Sequence, residues 1–289
     1  MDTLRLSEER PSTTGNESLV ARHPLVVFFV LAYLISWPLF ILAGVTKLSW
    51  ITVPGLFGPA VAAVAVTGAA GGRPALRTVL GRFLIWRVSP LWCAFALLFP
   101  VASYGVASAL APATSGAPTF SPSRQWYVIP LVYVGLYLVV IGEEVGWRGF
   151  ALPLLQQRWS AAMSSLVLAV PWTIWHFAIL SNPVAPNLGS IAGLAFIPFV
   201  FAVSIIFAAI FNNTAGSLLA VLAFHASGDV AGFFLRLTPR AYDINVVITA
   251  IVAVLFVVLL GPQNLSRTAE RVAVTAVRED RVPSRSARL

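Results

Sequence analysis

This chain is short of charge. Only 10% of its 289 residues are Asp, Glu, Lys or Arg, where soluble domains carry roughly a quarter. Lysine is nearly absent: Lys47 stands alone, and every other basic residue is arginine. The single cysteine, Cys93, excludes an intramolecular disulfide and a cysteine metal cluster. No repeat of about 20–50 residues is visible, which removes solenoid architectures. No alternating strand pattern is visible either, which removes a transmembrane barrel.

What remains is apolar. Hydrophobic residues make up 58% and the mean hydropathy is +0.85, the composition of a chain that lives in lipid. Lipid cannot satisfy backbone hydrogen bonds, so spanning segments close them internally as helices. Stretches of ~20 apolar residues are the candidates. They fall near Pro24–Val45, Trp50–Ala70, Pro90–Ala111, Trp126–Phe150, Ala161–Leu180, Leu188–Phe211, Ala215–Leu235 and Ile244–Leu260. The expected fold is an all-α polytopic membrane helical bundle of about eight transmembrane helices. Residues 24–261 form its membrane domain, between a polar N-terminal segment (1–23) and a polar basic C-terminal tail (262–289) expected to be mobile. The proline-rich stretch 112–125 reads as a loop.

The net charge of +8 is distributed like that of a membrane protein, not of a nucleic-acid binder. With the N-terminus in the cytoplasm, Arg73, Arg77, Arg82, Arg87, Arg148, Arg158 and the arginines from Arg267 to Arg288 fall inside. Lys47, Arg124, Arg236 and Arg240 fall outside. That asymmetry places both termini in the cytoplasm. The first apolar run is too long for a signal-peptide core and is read as a retained span. Arg73–Arg87 reads either as an amphipathic helix on the membrane surface or as an ordinary charged loop.

From Gln125 to Leu235 the charged residues are Glu143, Glu144, Arg148, Arg158 and Asp229, and two of the three histidines, His176 and His225, share this region. A charge at bilayer depth costs at least ~2.5–3.5 kcal/mol on insertion scales, so such groups face a protein interior or a watery cavity. In Gly142-Glu143-Glu144-Val145-Gly146-Trp147-Arg148, Glu144 and Arg148 are four apart and share a helix face, in the favourable order for an ion pair. Glu143, turned ~100° away, is left without a local partner and free to act as a base. In Trp172-Thr173-Ile174-Trp175-His176, ring and imidazole lie one turn apart on one face. In His225-Ala226-Ser227-Gly228-Asp229 the same spacing suits two metal ligands, or two groups gripping one substrate oxygen. Each cluster alone could be a polar knot that glues helices together. The set points to an active site.

Depth supports the combination. With a turn near Gln157–Ser160, Glu143 lies ~14 residues before it and His176 ~16 after it, hence at similar depth. His225 lies ~10–12 residues into a helix that starts from the same side. The expected pocket sits in the cytoplasmic half of the bilayer and opens toward the cytoplasm or the inner leaflet.

At these residues the chain resembles the CPBP (Abi, or CAAX-protease-like) family of intramembrane proteases. That family's motifs are Glu-Glu-x-x-x-Arg, Phe-x-x-x-His and His-x-x-x-(Asn/Asp). Here they read Glu143 to Arg148, Trp172 to His176 and His225 to Asp229, over about residues 125–235. Asn213-Thr214-Ala215-Gly216-Ser217-Leu218 leads into the third. Trp172 replaces the usual Phe, a change expected to alter pocket packing more than chemistry. Asp229 stands where the eukaryotic prenyl-protein endopeptidases carry Asn. An ionised Asp accepts hydrogen bonds but cannot donate one to an oxyanion; the alternatives at Asp229 are a protonated carboxyl, a partner for His225, or a metal ligand.

The resemblance implies a glutamate-dependent intramembrane endopeptidase. Glu143 and His176 would activate water, His225 with Asp229 would stabilise the oxyanion, and Glu144 with Arg148, beside Trp172, would hold the site. The implied partners are the lipid bilayer and a peptide or protein substrate, prenylated in eukaryotic relatives, with no nucleic acid. The cofactor is open: Glu143, His176, His225 and Asp229 are candidate ligands for a divalent metal such as zinc, yet no His-Glu-x-x-His signature is present. The Ala/Arg/Val-rich, lysine-poor composition suggests a GC-rich bacterium and its plasma membrane. Two other classes compete. One is a non-catalytic immunity or scaffold protein with a polar binding pocket; the other is an ion or proton transporter, which would carry paired broken helices from an internal repeat.

Overall fold

Eight helical stretches among the described residues are long and apolar enough to cross a membrane. In this computed structural model the described residues are 19–111, 126–180, 194–235 and 237–272. Residues 1–18, the loop 112–125 with Arg124, residues 181–193, Arg236 and the tail 273–289 lie outside them. The stretches are α1 (Pro24–Thr46), α2 (Ser49–Leu84), α3 (Pro90–Leu110), α4 (Trp126–Gln156), α5 (Ala161–Ile179), α6 (Phe196–Asn213), α7 (Leu218–Leu235) and α8 (Pro239–Leu260). The all-α membrane bundle read from the sequence is the fold observed.

Local chemistry sets the helix boundaries. Pro24, Pro90 and Pro239 open α1, α3 and α8, where proline's missing N–H costs nothing. At α8 the Thr238 hydroxyl also accepts a hydrogen bond from the Ala241 amide. Gly72, at φ +60°, breaks α2 and starts a separate helical arm that carries Arg73 and Arg77. The arm is helical and exposes both arginines, so the loop alternative for this segment is set aside.

α1 and α8 are peripheral. Val247, Ile251, Val254 and Val258 of α8 are all exposed at helical spacing, a stripe that meets acyl chains. α6 and α7 are central, with most of α6 and half of α7 buried. α2 packs on α1 and on the middle of α4; α5 packs on α6; α7 packs on α3.

One end of the bundle is sealed by a polar knot. Asn212 donates to Gln156 Oε1 at 2.8 Å and to the Asn264 carbonyl at 2.8 Å. Its Oδ1 accepts from Gln156 Nε2 and from the Val272 amide. Asn213 donates to the Leu265 carbonyl, and the amides of Ala161 and Ala162 donate to the carbonyls of Gln263 and Pro262. The chain after Pro262, expected to be mobile, is therefore stitched across the ends of α4, α5 and α6 as far as Val272. The tail looked free because it is polar, but buried amides at the helix ends need those backbone partners. Arg82, expected on a surface helix or in a charged loop, is also buried at this end. Its guanidinium lies 5.1 Å from the Phe211 ring and close against Gly216, whose φ of +82° and lack of a side chain make room.

Candidate active site

Two glycines aim the glutamates. A Cβ on Gly142 would sit 2.6 Å from the Leu56 carbonyl oxygen, and one on Gly146 2.6 Å from Pro59 Cβ. This glycine face lets α4 lie against the backbone of α2, while Glu143 and Glu144 project into the bundle. Directly after them the helix widens into a π-turn, Trp147–Ala151, which carries Arg148. Such π-bulges interrupt helices frequently at functional sites.

Glu144 and Arg148 form the expected ion pair, both fully buried. Arg148 Nη1 lies 2.9 Å from Oε1 and 3.1 Å from Oε2. The guanidinium is held between two aromatic faces, 3.8 Å from the Trp172 centroid and 3.8 Å from that of Phe207. Its Nε and Nη2 meet no hydrogen-bond acceptor among the described residues, and the rings stand there instead. Phe207 carries no signal in the sequence; a phenylalanine among many apolar residues of α6 cannot be singled out before the fold is known.

Glu144 has a second partner that local spacing does not reveal. His225 Nδ1 lies 2.7 Å from Glu144 Oε1, so α7 is tied to α4 through the same carboxylate that holds Arg148. A carboxylate held by Arg148 accepts, so Nδ1 is the protonated nitrogen and Nε2 faces the other way. Nε2 is 4.0 Å from Asp229 Oδ1, on the shared face expected from the i, i+4 spacing.

Glu143 is not without a partner. The Trp172 indole N–H donates to its Oε2 at 3.2 Å, across from α5 to α4. Trp172 in place of Phe thus alters hydrogen bonding as well as packing, because indole has a donor and phenyl has none. His176 Nδ1 lies 2.7 Å from the Trp172 carbonyl, which can only accept, and this fixes the proton on Nδ1. The remaining nitrogen, Nε2, is 3.9 Å from Glu143 Oε2. That gap admits one water oxygen at hydrogen-bond distance from both atoms.

The structure thus brings all the sequence-selected residues together: Glu143, Glu144 and Arg148 on α4, Trp172 and His176 on α5, His225 and Asp229 on α7. Both Nδ1 atoms of the histidines are already engaged, and no group of three His, Cys, Asp or Glu side chains converges as a cation site among the described residues.

The three helices bring their polar groups to one level, as expected. His176 lies fifteen residues after Ala161, about 22 Å along α5, and four before Leu180, about 6 Å from its end. Its ring packs at 5.3 Å against Phe196, the first residue of α6. On α7, His225 lies seven residues after Leu218 and ten before Leu235. On the side toward the 157–160 turn, Glu144 and Arg148 are at 0%, whereas Asp229, one turn toward the other end, keeps 40% of its side-chain surface. Among the described residues the site is closed by packing toward the 157–160 turn, and Asp229 is its most exposed carboxylate.

Buried glutamate–histidine pairs at the centre of a bundle of membrane-length helices are consistent with a catalytic site. Comparison with known proteins narrows the class. Residues 124–231 match the family described as Type II CAAX prenyl endopeptidase Rce1-like. A 52-residue stretch is 36% identical to CAAX prenyl protease 2 of Methanococcus maripaludis, covering 18% of this chain and 19% of that protein. The alignment therefore spans about a fifth of the curated relative. Over these residues the chain is similar to the CPBP, or CAAX-protease-like, family.

Proposed function

We propose that the protein is an intramembrane endopeptidase that hydrolyses a peptide bond with a water activated by Glu143 and His176. The observation that carries this reading is the 3.9 Å gap between His176 Nε2 and Glu143 Oε2, with the imidazole tautomer already set. A water hydrogen-bonded to both gives its proton to Glu143 as its oxygen attacks the scissile carbonyl. The carbonyl oxygen becomes an oxyanion and is met by the Nε2–H of a doubly protonated His225, whose Nδ1–H donates to Glu144. Asp229 orients or charges that imidazole. Collapse of the tetrahedral intermediate breaks the C–N bond, and the proton on Glu143 passes to the departing amine. Every step uses groups of this chain.

The substrate proposed is a peptide or protein segment that reaches bilayer depth. The relative's name, CAAX prenyl protease 2, supports a prenylated C-terminus as the first substrate class to test. The exposed basic residues Arg73, Arg77, Arg87 and Arg158 share one end of the bundle, which supports placing that end and both termini in the cytoplasm; the proposal of a bacterial plasma membrane rests on the lysine-poor, Ala/Arg/Val-rich composition.

The test compares membrane peptides from cells that make the wild-type protein or Glu143→Ala. A fragment pair generated only by the wild type is the expected result. Identical peptide sets, with the biological phenotype intact in Glu143→Gln, would assign the pocket to binding instead.

A further inference from the structure

Trp172 touches more of the site than any one role in the reaction explains. Its carbonyl accepts from His176 Nδ1, its ring covers the Arg148 guanidinium, and its indole N–H reaches Glu143 Oε2. It also packs edge-on against His176 at 5.5 Å and against Phe207 at 5.6 Å. The residue is buried, so the ring has little freedom to leave this position.

Glu143 is held much less firmly. Unlike Glu144, it has no arginine and no Nδ1–H on its carboxylate; the indole is its one side-chain hydrogen-bond donor among the described residues. The terminal torsion of a glutamate is broad and roughly two-fold, so without a donor the carboxylate turns freely. The oxygen that takes the indole bond is the same one that faces His176 Nε2. Rotation would carry it away from the water position.

We propose that Trp172 is a positioning residue for Glu143: its indole N–H locks the carboxylate in the rotamer that holds water against His176. This rests on Glu143 and His176 being the water-activating pair. One residue then sets both partners of that pair, the imidazole tautomer through its backbone carbonyl and the carboxylate orientation through its side chain. A phenylalanine at this position would keep the first function, and the aromatic face over Arg148, while losing the second.

The test reads the hydrogen bond without turnover. In protein labelled with 15N-tryptophan, the Trp172 indole resonance is identified by its absence from Trp172→Phe. Glu143→Gln keeps the shape of the acceptor and removes its charge, so the Trp172 indole proton should move upfield while the other indoles stay in place. An unmoved resonance overturns the proposal, whether or not the protein proves to be a peptidase. Absence of any cleavage by the wild type would instead remove the hydrolase reading. On the fragment-yielding substrate found in membranes, Trp172→Phe should lower kcat on the order of tenfold, the size of a charge-assisted hydrogen bond, with KM unchanged. An unchanged kcat, or a rise in KM alone, would show Trp172 to be a packing residue and overturn the proposal.

Discussion

Glu144 Oε1 lies 2.7 Å from His225 Nδ1, so the second glutamate of the pair ties two helices together as well as neutralising an arginine on its own. Arg148 and Glu144 are both fully buried, and the arginine's remaining contacts are ring faces. Removing the carboxylate charge leaves a cation in the core without its counter-charge. Glu144→Gln is therefore expected to destabilise the fold by about 3–5 kcal/mol. Thermal unfolding in detergent measures it. The double variant Glu144→Gln/Arg148→Met should recover part of that loss, because the stranded charge is gone.

Glu143 differs in kind from its neighbour. It makes one hydrogen bond to a side chain and pairs with no arginine, so the fold depends on it little. Glu143→Ala and His176→Ala should each lower cleavage by at least ~100-fold, the range for a lost general acid–base group. Their unfolding midpoints in detergent should stay near that of the wild type. Full activity in either variant would remove the proposed water-activating pair. Adjacent glutamates would then fail by different routes, Glu144 through folding and Glu143 through chemistry.

The polar knot makes a prediction about the C-terminal segment. Asn212 uses both atoms of its amide, each twice, to bind Gln156, Asn264 and Val272. Asn212→Leu leaves the Val272 amide and one side of Gln156 without partners, at ~1–3 kcal/mol for each buried group stranded. Truncation after Gly261 removes the Asn264 and Val272 bonds from the other side and leaves the Gln156 pair in place. Each change should lower the unfolding midpoint and should speed proteolysis near the 157–160 turn. The combination should cost less than the sum, because both act on one network. Strict additivity would show that the segment rests on the bundle without bracing it.

The fold was legible in the sequence because lipid leaves only one way to close backbone hydrogen bonds, and uninterrupted apolar runs show where. The site was legible because a few polar residues stand out against that background. Pairings within one helix, Glu144 with Arg148 and His225 with Asp229, follow from the i, i+4 rule. Pairings between helices do not. The bonds from His225 to Glu144 and from Trp172 to Glu143 depend on how α4, α5 and α7 rotate against one another, which periodicity leaves open. Phe207 and the docked segment 262–272 were invisible for a related reason: their roles exist only once a neighbouring helix has placed a guanidinium or an unpaired amide beside them.

Packing among the described residues bears on access to the site. Toward the 157–160 turn lie Arg148 between its two rings, then buried Phe150, Leu152 and Leu155, then the Asn212 knot. Toward the other end, His176 meets Phe196 at the start of α6, and Asp229 is the most exposed of the site carboxylates. Water and substrate should therefore arrive from the end that carries Lys47 and Arg240, or sideways from that half of the bilayer. In a background lacking Cys93, a thiol introduced by Asp229→Cys should react with a membrane-impermeant reagent supplied on that face. Arg158→Cys, exposed at the opposite end, should react only from the other face and serves as the internal marker of orientation. Labelling of both positions from the same face would mean that the substrate route runs through the sealed end, and the packing argument would fall.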